Sequence, residues 1–298
     1  MNFYNYHLIN DFNIKKHELL SINEIKIKKK FFTLFKNKIC IINEKQSLRT
    51  INTLINSFNY LNIKYTIINN KHNFKKENIK DFSKTLGILY DYVFFRGYND
   101  IILKIISKFS GLVLINMLSN GYHPLQSIND CFLIKNKVIF FFGDFNSNVF
   151  RSMIINLSKI NKLIIIVSPK IYWNYIFLKK IFNKKKIILT EKLIILNKKI
   201  IIYNDVWFSM GENNLKKKIN NLINFQINKK IIKILKIIKI YHCLPSYKKS
   251  FFLKLNSSEI EENVFESNFS NFDKQIIEKI FVIKSFFIIS KKNFFNII

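Results

Sequence analysis

The 298-residue chain contains no alanine. It has six glycines, three prolines and three cysteines, and only three of its 49 basic residues are arginine: Arg49, Arg96 and Arg151. Ala, Gly, Pro and Arg share G- and C-rich codons, whereas the abundant Asn, Ile, Lys, Phe and Tyr are written with A and T. The composition therefore predicts a gene from a strongly AT-biased genome. The three cysteines, Cys40, Cys131 and Cys243, lie far apart and show no CxxC or His/Cys spacing. That argues against a structural zinc site and for a reduced compartment. No apolar run reaches the roughly 18–20 residues that span a bilayer. The opening MNFYNYHLINDF lacks the basic-then-apolar order of a signal peptide. The expectation is a soluble, cytoplasmic protein with no membrane partner.

Acidic residues are also scarce, 19 against 49 basic, for a formal net charge of +30. A charge of that size ordinarily points to nucleic acid or an anionic surface. Here the lysines are spread along the whole chain and mixed with isoleucine, as codon drift would leave them. Weak, salt-sensitive binding to polyanions follows from the charge; a specific nucleic-acid partner does not. In this background each remaining Arg, Gly and Pro is worth inspecting.

Short apolar runs alternate with amphipathic stretches. Strands are expected at 38–43, 64–69, 92–96, 112–116, 137–143, 163–168, 186–190, 200–204 and 238–243. Helical patterns lie between most of them, at 50–62, 78–89, 99–109, 147–160 and 172–182, and the tail 272–298 reads as one long helix. Continuous apolar strands separated by helices indicate parallel sheets covered on both faces. The class is α/β, doubly wound, with a domain boundary near 133–137. Such sheets bind ligands at the carboxyl ends of their strands.

The uncommon residues fall at those ends. Ser47, Arg49 and Thr50 follow the first strand and open a helix, an arrangement that suits an anion. Its plainer alternative is a serine cap with a surface arginine. Arg96 closes the strand YVFFR and is followed by Gly97. His123 and Gln126, one helical turn apart, share a face. In the second half Gly143-Asp144 ends a strand, with Asn146, Ser147 and Asn148 behind it. Asp205 and Ser209 bracket a turn leading to Gly211 and suit a cationic amine. His242 and Cys243 are neighbours in an extended segment, so they face opposite ways and do not form a Cys–His dyad. The first half thus offers donors for a phosphate and the second half acceptors for an amine.

The order of these motifs resembles the aspartate/ornithine carbamoyltransferase family, and its ornithine branch in particular, over nearly the whole chain. The resemblance is carried by KENIKDFSKTLGILYDYVFFRGY at 76–98, HPLQSINDCF at 123–132, GDFNSNVFRSM at 143–153, DVWFSMGE at 205–212, HCLP at 242–245 and VFES at 264–267. It implies two doubly wound domains, 1–133 for carbamoyl phosphate and 134–271 for ornithine, with helix 272–298 packing back on the first and the active site in the cleft between them. It implies transfer of the carbamoyl group of carbamoyl phosphate to the δ-amine of L-ornithine, giving L-citrulline and phosphate, with arginine biosynthesis as the setting. The implied carbamoyl-phosphate residues are Ser47, Leu48, Arg49, Thr50, Arg96, His123, Gln126, Cys243, Leu244 and Lys279, with Arg96, His123 and Cys243 catalytic. Those for ornithine are Asn148, Asp205, Ser209 and Met210. No metal or cofactor is implied. A homotrimer is, each site completed by a neighbour's loop near His72–Lys76.

Several positions depart from the family pattern. Leu48 replaces a threonine of the phosphate motif, Ile51 a second arginine, Lys279 an arginine and His72 a glutamine. Lysine cannot reproduce the planar two-pronged contact of arginine, and each charge-assisted hydrogen bond lost is worth about 1.5–3 kcal/mol. The alternatives are a degenerate carbamoyltransferase homologue serving as a binding or structural subunit, an aspartate carbamoyltransferase, and a basic nucleic-acid-binding protein.

Overall fold

The computed structural model describes residues 8–9, 14–16, 38–45, 47–69, 77–134, 138–160, 162–181, 186–208, 215–246 and 259–295. It divides into two units, Met1–Asn129 with Ile276–Ile298, and Asp130–Gln275. Each is built on a five-stranded sheet whose strand pairs are all parallel.

In the first unit the strands are β1 (Leu8–Ile9), β2 (Ile39–Asn43), β3 (Tyr65–Ile68), β4 (Tyr92–Arg96) and β5 (Val113–Leu118), in the order β1-β5-β4-β2-β3. The helices α1 (Leu48–Tyr60), α2 (Ile79–Leu89) and α3 (Asp100–Ser110) connect them, and α4 (Pro124–Leu133) follows β5. The strand order reverses between β2 and β4, which pair directly, Asn43 opposite Arg96. One face of the sheet buries Cys40, Ile42, Val93, Phe95 and Leu114 against Leu86, Leu103 and Ile106 of α2 and α3. Burial pushes the Cys40 thiol up to about 12, which makes it an inert apolar residue. On the other face Phe94 meets Phe58 and Phe287, with ring centroids 5.2 and 5.6 Å apart.

The second unit contains β6 (Val138–Phe142), β7 (Leu163–Val167), β8 (Ile187–Thr190), β9 (Ile200–Asn204) and β10 (Ile237–His242), in the order β10-β9-β6-β7-β8. Here the reversal lies between β6 and β9, with Phe142 opposite Asn204. Its helices are α5 (Asn148–Lys159), α6 (Tyr175–Lys179), α7 (Leu215–Leu222), α8 (Lys229–Ile234) and α9 (Glu262–Phe265). Every residue of β6 and β9 is buried, as strands covered on both faces require. The long α10 (Phe272–Phe295) begins in this unit and continues into the first.

The nine expected strands all form, within a residue or two of the expected ends. The two-residue β1 was not expected, because a pair of apolar residues gives no periodic signal. The pattern at 172–182 is not one helix. A 3-10 turn at Lys170–Tyr172 ends at Trp173, which is extended at φ −71°, ψ 127°. Its indole N–H donates to the Ser168 carbonyl at 2.9 Å. Asn174 then restarts the helix by accepting from the Phe177 N–H at 2.9 Å. The abundant asparagine is put to use as a helix cap, at Asn78, Asn99, Asn174 and Asn228.

Gly87 lets α2 lie against the end of α3. A Cβ there would come within 1.9 Å of the Ser110 carbonyl oxygen, a backbone atom that cannot rotate away. Gly87→Ala is therefore expected to destabilise the protein by about 1–3 kcal/mol despite alanine's better helix propensity. Urea unfolding of the two proteins measures it.

Candidate active site

The first cluster forms at the strand-order reversal of the first unit. β2 ends at Asn43, and Ser47 caps α1, its Oγ accepting from the Thr50 N–H at 3.2 Å. The remaining amides of that first turn, with the helix dipole, favour an anion. Arg96, at the end of β4, is buried. Its Nε donates to the Lys45 carbonyl at 2.9 Å and an Nη to the Thr50 hydroxyl at 3.5 Å. Both acceptors are neutral. Burial, and then the neighbouring Arg49, lower the Arg96 guanidinium to about 10, so it remains a cation at neutral pH.

His123 precedes α4 and is held from behind. The Asp100 carboxylate accepts from the Ser119 hydroxyl and from the Gly121 N–H, the latter at 3.0 Å. Ser119 Oγ in turn accepts from the Tyr122 N–H at 3.2 Å. Burial holds the His123 imidazole well below its usual value, and the charges of Lys279, Arg96 and Lys45 add to that. It is therefore a neutral ring at physiological pH. Gln126, one turn along α4, accepts through Oε1 from the ammonium of Lys279 on α10. Lysine thus spends a donor on the amide of its own unit. Gly97 also has a geometric reason: a Cβ there would fall 2.2 Å from a carboxylate oxygen of Glu44.

The second cluster stands at the ends of β6, β9 and β10. Gly143, at φ 110°, turns the chain after β6, a conformation natural only to glycine. Asp144 accepts from the Asn146 N–H at 2.8 Å and pairs with Lys218 of α7 at 2.8 Å. Ser147 caps α5 by accepting from the Phe150 N–H at 3.1 Å. Asn148 is its first residue and half-buried. Asp205 follows β9 and is buried; burial raises its carboxyl, opposed by hydrogen bonds from Ser147, the Val206 N–H and Cys243 and by the charge of His242. The Cys243 sulfur lies 3.2 Å from the Tyr203 hydroxyl. His242 points elsewhere, its Nε2 3.5 Å from the Glu259 carboxylate. The expected separation of His242 and Cys243 is what the chain adopts. Leu244 begins the next turn through a cis peptide to Pro245.

Ser47, Arg49, Thr50, Arg96, His123, Gln126 and Lys279 are thus joined by hydrogen bonds or mutual charge in one unit. Asp205 and Cys243 are joined in the other, with Asn148 on the adjoining helix start. Leu48 is 78 % exposed and contributes no polar side chain. Ser209, Met210 and His72 lie outside the described residues. Sequence reasoning passed over Lys45, whose charge reaches His123, because lysine is everywhere in this chain. It also passed over Ser147 as a partner of Asp205. Among the described residues no group of His, Cys, Asp and Glu could hold a metal, and no helix is long and apolar enough to cross a membrane.

Comparison with known proteins gives these clusters a family. The carbamoyl-phosphate-binding domain model of the aspartate/ornithine carbamoyltransferases matches residues 7–136, and the Asp/Orn-binding domain model matches 135–289. The chain belongs to the aspartate/ornithine carbamoyltransferase family. It is 31 % identical over 293 residues to the ornithine carbamoyltransferase of Buchnera aphidicola subsp. Schizaphis graminum, covering 86 % of each protein. It is 31 % identical over 225 residues to a catabolic ornithine carbamoyltransferase of Mycoplasma capricolum subsp. capripneumoniae, covering 66 % of this chain and 71 % of that protein. The solved anabolic ornithine carbamoyltransferase of Campylobacter jejuni superimposes with a TM-score of 0.83 at 25 % identity, over 96 % of this chain and 99 % of that one. The Pyrococcus furiosus ornithine carbamoyltransferase, 22 % identical, shares the fold at the same score, over 95 % and 96 %.

The buried neutral histidine has a measurable consequence for this carbamoyltransferase fold. Its folded value lies below the ordinary 6.5, so on acidification the unfolded chain binds a proton first. The stability His123 contributes is full above 6.5 and is lost as pH falls below it toward the folded value. Urea unfolding at about pH 7.5 and about pH 5.5 in phosphate-free buffer, either side of the ordinary histidine value, is expected to show a larger loss for the wild type than for His123→Gln. Equal losses would place His123 in water.

Proposed function

We propose that the protein transfers the carbamoyl group of carbamoyl phosphate to the δ-amine of L-ornithine, forming L-citrulline and phosphate. What supports this most is the placement of the two clusters. In each sheet the loops at the strand-order reversal carry them, cationic donors in the unit matched by the carbamoyl-phosphate domain and a buried carboxylate in the unit matched by the Asp/Orn domain. Open α/β sheets take their ligands at that position.

The chemistry runs as follows. The first-turn amides of α1, Ser47, Arg49 and Thr50 hold the phosphate, with Lys45 and Lys279 adding charge. Arg96, neutral His123 and Gln126 donate to the carbonyl oxygen, which gains charge on attack. Asp205 takes the α-ammonium of ornithine, and the δ-amine attacks as the neutral base. A C–N bond forms, the C–O bond to phosphate breaks, and the amine's proton leaves with the phosphate. Most of the acceleration comes from holding the two reactants in place. Ornithine rather than aspartate is favoured by the SMG and HCLP motifs, by the names of the relatives and by the Asp205 carboxylate, which attracts an ammonium. Arginine biosynthesis, a cytoplasmic location and a homotrimer belong to the same reading; for the last, analytical ultracentrifugation is expected to give a single species of three times the chain mass.

Purified protein incubated with carbamoyl phosphate and ornithine is expected to release citrulline, and far less carbamoyl product with aspartate. Folded protein that makes none at high substrate is the inactive subunit of the rival reading. Arg49→Ala is expected to raise the KM for carbamoyl phosphate roughly ten- to hundredfold, the worth of one or two charge-assisted bonds. Asp205→Ala should weaken ornithine instead. Lys279→Arg, which restores the family's planar donor, is expected to lower the KM for carbamoyl phosphate several-fold.

A further inference from the structure

Behind Cys243 lies a chain of polar groups that no substrate role explains. Asp130 is fully buried on α4. Its Oδ2 accepts from the Tyr203 hydroxyl at 2.5 Å and from the Gln275 amide at 2.9 Å. Tyr203 is fully buried on β9, and its oxygen lies 3.2 Å from the Cys243 sulfur. Cys243 also hydrogen-bonds Asp205. A phenol has one proton. Given to Asp130, it leaves the tyrosine oxygen able only to accept.

We propose that Asp130 and Tyr203 are positioning residues for Cys243: with the phenol proton committed to Asp130, the Tyr203 oxygen and the Asp205 carboxylate both face the thiol as acceptors, so that it keeps its proton and serves as a fixed hydrogen-bond donor beside Asp205. A thiolate there would face the lone pair of Tyr203 and the negative charges of Asp205 and Asp130. Tyr241 adjoins Asp130 and is itself pushed up to about 12, chiefly by burial. His242, whose charge also reaches Asp205, faces Glu259. Burial and the same neighbours raise the Tyr203 phenol well above its usual value, so it does not ionise in place of Asp130. The proposal deepens the carbamoyl-transfer reading, since it concerns a cysteine assigned to the substrates. The groups titrate without substrate, so the test does not depend on turnover.

The thiolate, not the thiol, reacts with alkylating reagents. The rate of Cys243 carbamidomethylation by iodoacetamide, read as the mass of its peptide across a pH series, therefore reports its protonation in the full-length protein. Asp130→Asn replaces the charged acceptor of the Tyr203 hydroxyl with a weaker amide oxygen, which lets the hydroxyl turn toward sulfur, and removes a negative charge. It is expected to move the midpoint of the Cys243 profile down by about one pH unit. In a Tyr203→Phe background the same substitution is expected to shift it by less than half as much. An unshifted profile in folded Asp130→Asn overturns the proposal, and so does an equal shift with and without the phenol. Should Asp130→Asn not fold, the wild type decides. Its Cys243 S–H infrared band, isolated by subtracting the Cys243→Ser spectrum, is expected to persist at about pH 9, above the ordinary thiol value of about 8.5. Loss of the band below that pH overturns the proposal equally.

Discussion

A guanidinium taken out of water must be held by neutral acceptors or meet an anion. Arg96 sets that constraint for the first unit. Its acceptors are the Lys45 carbonyl and the Thr50 hydroxyl, and the charge beside it is another cation, Arg49. Much local structure exists to supply those acceptors. The turn after β2 bends so that the Lys45 carbonyl faces Arg96, and the Glu44 N–H reaches the Arg96 carbonyl at 2.8 Å. Gly97 is bare so that the Glu44 side chain can pass. Like charges brought together in this way cost stability, and the dianion of the proposed reaction would return it. Binding and folding therefore draw on one electrostatic imbalance, as strain at functional sites generally does.

The second unit treats its acids differently from one another, and the differences sort their roles. Asp144 meets a lysine directly and works as a tie between the β6 turn and α7. Glu259 meets His242. Asp130 receives a phenol and an amide. Asp205 receives Ser147, Cys243 and a backbone N–H, neutral donors that do not offset its burial, and its carboxyl is raised accordingly. A carboxylate in that condition gains most from an arriving ammonium. Its counterpart in the first unit is a set of donors that gains most from an arriving phosphate. The two substrates of the proposed reaction carry those charges.

The strands were legible because each is a continuous apolar run, and in a parallel sheet covered on both faces such a run has one reading. Of the candidate site residues, Arg49, Arg96, His123 and Cys243 stand out in the sequence because their types are rare in this chain. An arginine at the end of YVFFR stands out where almost every other cation is lysine. For the same reason Lys45 did not. Tyr203 and Asp130 were illegible for another cause: they lie 73 residues apart, and no local pattern announces a contact made by folding. The break at Trp173 was hidden as well, since the indole's hydrogen bond to Ser168 outweighs the helical periodicity of its neighbours.

The scarcity of arginine also bears on what the candidate site asks of each cation. The chain has no alanine and only three arginines, and two of the three are Arg49 and Arg96. At position 279 this chain carries lysine where the resemblance implies arginine. There the residue is a buried lysine seated on Gln126, and α4 already presents an amide that can hold a point charge. At position 96 no such substitution is open. The side chain must reach a carbonyl through Nε and a hydroxyl through Nη at once, a forked geometry that an ammonium on a flexible stem does not fix. Between positions 96 and 279, the choice of arginine or lysine matches the number of directed bonds the side chain makes. By that measure Arg96 is less replaceable than Lys279.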